Sequence, residues 1–301
     1  MFLRAYLFLV TTALCWGANA IAGRLAVGHI SPFLLTSARW GLAMAAAAAL
    51  GAPHLRRDWP AIRRNLPLLF AFGTVGFTCF NAAYYTAAAY TTALNIVIIQ
   101  AGMPLIIFAL NFALFRSAVS GAQALGFLLT LTGVAATVSN GSLATLLHLQ
   151  FNRGDALMLL AILFYGGYTA ALRWKPRMHW LSFMAAIAGG AFVASLPLTG
   201  WEIASGRVLW PDAQGVGVAV FAALFPGLIA QASFIAGTEL IGSNRAGLFV
   251  NLVPVFGAIM SVLILGEQLR VYHLVGLGLV LSGVAMAERK RRVATPPRSA
   301  P

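Results

Sequence analysis

Residues 93–136, ALNIVIIQAGMPLIIFALNFALFRSAVSGAQALGFLLTLTGVAA, align without a gap to residues 243–286, SNRAGLFVNLVPVFGAIMSVLILGEQLRVYHLVGLGLVLSGVAM, at a constant offset of 150. Pro104 falls on Pro254, Gly126 on Gly276, and Gly133-Val134-Ala135 on Gly283-Val284-Ala285. Asn81 falls on Gln231 at the same offset. Nearer the start, Trp16-Gly17-Ala18-Asn19 falls on Tyr165-Gly166-Gly167-Tyr168 at an offset of 149, and Arg24 falls on Arg173. Isolated Gly and Pro matches are common in apolar helices. A collinear match over more than forty residues marks an internal duplication.

The composition says where the duplicated unit lives. Of 301 residues, 60% are hydrophobic and 9% charged, against about 25% charged in soluble domains. An ordinary soluble enzyme is excluded. A membrane-crossing helix needs about 20 apolar residues, and ten such segments can be read, near 5–23, 32–51, 66–88, 92–115, 121–139, 154–174, 180–200, 214–238, 244–265 and 271–287. None alternates polar with apolar residues over ten positions, which argues against β-barrel spans. The expected fold is an all-α integral membrane protein with ten transmembrane helices. Five spans per repeat is an odd number, so the second repeat must enter with opposite orientation. Such inverted-topology five-helix repeats are an architecture of secondary transporters, with the substrate held between the halves.

The expected units are a first five-helix repeat over 1–139, a connecting loop over 140–153, a second repeat over 154–287, and a basic, disordered cytoplasmic tail over 288–301. The first segment ends in small residues, as a cleaved signal would, but its repeat partner argues for a retained helix. With the amino terminus inside, fifteen Lys and Arg fall in inner segments and four in outer ones, Arg39 lying within a span. The positive-inside rule then puts both termini in the cytoplasm of a bacterial inner membrane. The net charge of +13 reads as this topology signal rather than as nucleic-acid binding, so lipid and a small-molecule substrate are the expected partners. Cys15 and Cys79 lie in apolar runs, without the Cys/His clustering of a metal site; no metal and no cofactor are expected.

Polar groups inside spans are costly unless they meet partners or water. Thr12, Trp16 and Asn19 share one helix face, and Tyr165 and Tyr168 repeat the pair. Thr74, Thr78, Asn81 and Tyr85 form a second stripe, with Gln231 as the later counterpart of Asn81. Spans 4 and 9 add Asn95, Gln100, Asn111 and Asn251. The candidate cavity lining is Trp16, Asn19, Asn81, Tyr85, Gln100, Tyr165, Tyr168, Gln231 and Asn251; interhelical packing is the competing role. Arg39 is the one charged side chain near mid-span: a ligand for a substrate carboxylate, a snorkelling charge, or a pin to backbone carbonyls of a neighbouring helix; the second repeat has Ala188 nearby. Pro104 and Pro254 are candidate hinges, and spans 3, 4, 8 and 9 are expected to bend. All seven carboxylates and all five histidines fall in loops or at span ends. With no mid-membrane carboxylate as proton relay, uncoupled exchange or uniport is expected, and the absence of His-Glu-x-x-His or clustered acids argues against an enzyme.

Several segments resemble the EamA branch of the drug/metabolite transporter superfamily. They are Leu14-Cys15-Trp16-Gly17-Ala18-Asn19, Ser31-Pro32 followed by Arg39, Tyr84-Tyr85-Thr86-Ala87, Leu252-Val253-Pro254-Val255-Phe256, Leu265-Gly266-Glu267-Gln268, and Gly276 through Gly283-Val284. The resemblance runs from about residue 5 to 287. It implies ten helices in two inverted repeats and movement of small metabolites, often amino acids outward. Export of another metabolite or drug-like class, or a selective channel, stays open, as do direction and oligomeric state, a monomer included. One departure is Arg116-Ser117 where the second repeat has Gly266-Glu267; Glu267 is expected at a helix end near the outer headgroup zone, in a cap or interface role rather than in substrate contact.

Overall fold

A computed structural model describes residues 2–103, 106–107, 109–110, 113, 121–142, 152–241 and 249–288. Among these residues the regular structure is entirely helical. A chain in hydrocarbon must satisfy its backbone groups within each segment, and the helix does so.

The first repeat contains α1 (Phe2–Ala26), α2 (Pro32–Leu50), a short α3 (Ala52–Arg64), α4 (Leu66–Ala88), α5 (Ala93–Ala101) and α6 (Gly121–Val138). The second contains α7 (Arg153–Ala171), α8 (Trp180–Ala204), α9 (Ala213–Ala222 running on to Ala230–Ile241), α10 (Leu252–Leu265) and α11 (Val271–Glu288). Among the described residues, six segments are long and apolar enough to cross a membrane: Phe2–Ala26, Pro32–Leu50, Leu66–Ala88, Arg153–Trp174, Trp180–Ala204 and Ala213–Thr238. Shorter apolar helices occupy Ala124–Thr137, Leu252–Leu265 and Val271–Met286. Many of their large side chains face outward, Leu263 with 77% of its surface exposed. Water would penalise such a surface; lipid covers it.

Each close crossing joins one repeat to the other. Where α6 meets α11, a Cβ on Gly133 would lie 2.7 Å from the Gly276 carbonyl oxygen, and one on Gly283 would lie 2.5 Å from that of Gly126. The four glycines are repeat partners and make a symmetric small-residue seam, the usual way to bring backbones together in lipid. Gly121 faces open space instead. Between α2 and α8, Ser37 donates to Ser195 (2.8 Å) and shares a hydrogen bond with Thr199 (2.7 Å), all three buried. Gly17 in α1 rests on the backbone of Val253 and Gly257.

The turns divide between two faces. Ser31 N–H donates to the Leu209 carbonyl, and Gly154 packs on Ala87 and Thr91. Gly141 meets Tyr272, and Glu267 accepts from Ala93 and Leu94 N–H at 2.8 and 2.9 Å. These contacts gather one face of the bundle. At the other, beside the amino terminus, Gly51 packs on Leu181, Asp58 accepts from His179 N–H (2.8 Å), and the His54 and His179 rings stack 3.6 Å apart.

Regular α-helical geometry is interrupted at several of the described positions. A π-helical stretch spans Phe72–Cys79 in α4 and another spans Ala223–Ile229 in α9, at repeat-equivalent positions. Gly102 ends α5, and Asn251 interrupts the helix ahead of α10. Pro254 therefore sits in the first turn of α10, where a missing N–H leaves no bond unmade, and not in a helix interior. Pro104 lies outside the described residues.

Candidate functional site

The π-helical stretches matter because a π turn frees carbonyls and commonly marks functional positions. In α9 the Pro226 carbonyl accepts from the Trp16 indole N–H at 3.3 Å. In α4 the Asn81 amide donates to the Phe77 carbonyl at 2.8 Å. Beside these stretches lies a cavity of about 400 Å³, lined from both repeats. Trp16, Asn19, Arg39, Asn81 and Gln100 contribute from the first, and Tyr165, Tyr168, Gln231 and Asn251 from the second.

Arg39 is the one charged residue on that wall, and it is 5% exposed. Its Nη1 donates to Asn19 Oδ1 (3.0 Å), Asn81 Oδ1 (3.1 Å) and the Tyr85 hydroxyl oxygen. Tyr85 donates in turn to Asn19 Oδ1 at 3.3 Å. Tyr85 thus stands behind the guanidinium and does not line the cavity. Arg39 also lies 4.8 Å from the centre of the Trp40 ring, which stacks on Phe77 at 4.1 Å. Tyr165 packs between Phe80 (5.1 Å) and Tyr168 (5.4 Å), and Trp16 packs on Phe234 (5.6 Å). Gln100, Gln231 and Asn251 make no side-chain hydrogen bond among the described residues. They bring free amides to the space.

Some polar stripe members lie elsewhere. Thr12 donates to the Phe8 and Ala230 carbonyls, and Thr78 to that of Ala191. Thr74 is satisfied within its own helix, and Asn111 is outside the described residues. The aromatic walls built by Trp40, Phe77 and Phe80 escaped the sequence reading, because an aromatic residue inside an apolar run carries no polar signal.

The cavity reaches from mid-bundle toward the face with the amino terminus, through Thr169 near the end of α7, Leu172 just past it, and Met184 at the start of α8. The opposite face is packed shut by Leu94, Ile96, Ile98 and Ile99, none with exposed surface. Polar groups reinforce it. Asp155 accepts from Thr91 Oγ1 (2.5 Å) and from Asn95 Nδ2 (3.3 Å), and His273 Nε2 meets Asn95 Oδ1 at 3.2 Å. Glu202 accepts from Ser31 Oγ (2.7 Å) and from Phe33 and Leu34 N–H at the start of α2. Asp155, Glu202 and His273 do sit at helix ends, yet all three are buried. A span end in sequence is not a solvated position once neighbouring turns fold over it. Glu239 and Glu288 have no described side chain, and His148 is outside the described residues.

A helical membrane bundle enclosing a polar, aromatic cavity between two related halves is the form of a solute transporter. The EamA-like transporter family profile matches twice, over residues 3–139 and 152–288, and the chain belongs to that family. It is 26% identical to the uncharacterized transporter YyaM of Bacillus subtilis, over 97% of this chain and 95% of that protein. It is 24% identical to YetK of the same organism, over 96% and 88%, and 22% identical to an uncharacterized transporter of Archaeoglobus fulgidus, over 96% and 100%. A solved crystal structure shares the fold, with a TM-score of 0.62 and 19% identity over 95% of this chain and 97% of that one.

Proposed function

We propose that this chain is a secondary carrier that moves small polar metabolites across the bacterial inner membrane by alternating access, with export of amino acids or their derivatives as its main task. It does so with ten spans in two inverted repeats and with both termini in the cytoplasm. The observation that carries the reading is the cavity between the halves, to which repeat-equivalent residues contribute in pairs: Trp16 with Tyr165, Asn19 with Tyr168, and Asn81 with Gln231. Equivalent walls from two repeats suit a site that must face each side in turn. Amides and hydroxyls hydrate a polar solute, and the rings carry its apolar part or attract an ammonium group. The packing of one face while the cavity extends toward the other supports a carrier over an open channel. No carboxylate stands among the described lining residues, which supports exchange or uniport without a proton relay inside the cavity.

The test is counterflow in proteoliposomes, with labelled amino acids and no ion gradient. Saturable accumulation of a labelled solute, driven only by its unlabelled form on the other side, is the expected result. Flux that rises linearly with concentration and shows no counterflow would establish a channel instead.

A further inference from the structure

We infer that Arg39 anchors a substrate carboxylate, so that this carrier selects carboxylate-bearing solutes and moves them fastest in exchange. The inference rests on the carrier reading and narrows it to a substrate class.

A guanidinium stays charged in any protein environment, and a charge at mid-bilayer is expensive without a counter-charge. Around Arg39 the described residues supply only neutral dipoles and ring faces. The ion pair present among the described residues joins His29 to Asp212 and lies at the surface, whereas Arg39 is buried. The guanidinium is also not used up. Nη1 is committed to three protein oxygens and Nε is buried without an acceptor, while Nη2 makes no hydrogen bond to a described residue. Its three bonds tie α2 to α1 and α4 through side chains alone, and no backbone carbonyl accepts from Nη1 or Nε.

The orientation is held in advance. Asn81 turns its oxygen toward Arg39 because its amide nitrogen is fixed on Phe77, and Asn19 is held by the Tyr85 hydroxyl. A guanidinium preset in this way offers a charge-assisted hydrogen bond to a carboxylate oxygen. The aromatic walls of Trp40, Phe77 and Tyr168 then take the solute's apolar body. A cation meets like charge and no acid on the described walls. The empty carrier must turn over with an unneutralised charge in a low-dielectric wall, whereas a bound carboxylate cancels it. Loaded reorientation is therefore the faster step, and internal substrate should stimulate uptake.

The experiment pairs carboxylates with their amides on the same body: amino acids, 2-oxo acids and short aryl monocarboxylates, measured for binding by thermal shift and for counterflow. Carboxylates should bind about tenfold to hundredfold more tightly than amides, the worth of one charge-assisted hydrogen bond. Internal carboxylate should raise uptake severalfold. Arg39→Gln should remove the carboxylate preference, with Arg39→Lys intermediate because it keeps charge and loses the fork. If Arg39→Gln does not fold, the wild-type comparison decides alone. Equal binding of amides and acids, an unchanged preference in folded Arg39→Gln, or binding of no carboxylate in the panel would overturn the inference. Counterflow of amides alone would leave the carrier reading standing, whereas linear flux without counterflow would remove that reading itself.

Discussion

Arg39 was legible in the sequence as a charge inside an apolar run, but its three acceptors come from α1 and α4 and were named only as separate stripes. Sequence spacing orders residues along one helix; the meeting of three helices at one guanidinium is a product of packing. The same holds at the junction of α3 and α8. Burial, with His54 stacked beside it, pushes the His179 imidazole below its ordinary value of 6.5. The His179 N–H holds the Asp58 carboxyl below the usual carboxylate range. A histidine with a depressed folded value binds fewer protons than the unfolded chain, so stability is lost as pH falls through about 6.5, its unfolded value. Asp58 adds a loss at lower pH, as the solution falls toward its folded value. His179 Nδ1 also accepts from Leu181 N–H at the start of α8, and protonation removes that acceptor. The melting temperature of detergent-solubilised protein should fall between pH 7 and 5. His179→Asn, which keeps a capping oxygen but cannot titrate, should flatten that limb. An unchanged slope would show that the junction does not govern acid stability.

At the scale of elements, the paired glycines carry the prediction. A Cβ on Gly283 meets the Gly126 carbonyl and the Thr130 backbone, whereas Gly278 on the same helix faces open space. Gly283→Val should therefore destabilise the protein by about 1–3 kcal/mol, as overpacking does. Gly278→Ala should be neutral or stabilising by up to about 1 kcal/mol. Thermal unfolding of the two variants checks this, and equal shifts would mean that α6 and α11 do not cross tightly. The repeat alignment already singled out Gly126, Gly133, Gly276 and Gly283. What the alignment does not show is what these glycines meet, and in the described structure they meet one another where α6 crosses α11. Glu267 shows the reverse case. Its capping role was expected, but it caps α5, about 170 positions earlier in the chain, and not its own helix. The π-helical stretches had no sequence signal beyond Pro226-Gly227, since an extra residue per turn leaves no compositional trace.

For the whole molecule, the proposed inverted arrangement makes a direct prediction about sidedness. In a variant lacking Cys15 and Cys79, cysteines placed at Arg177 and at Ser205 bracket α8. A membrane-impermeant thiol reagent added to intact cells should label Ser205→Cys and spare Arg177→Cys; the opposite pattern would reverse the proposed orientation. The sequence by itself determined that the chain is helical, that it lies in a membrane and that it is a duplication. Those properties follow from apolar length, charge distribution and internal identity, each readable along one dimension. The tertiary structure alone decided which polar residues share a cavity, which end is shut, and which acids are buried. These depend on contacts between helices distant in sequence. The partners of Arg39 lie 20 to 46 positions away, and those of Glu202 about 170. No local pattern of side chains encodes which helix will stand beside another.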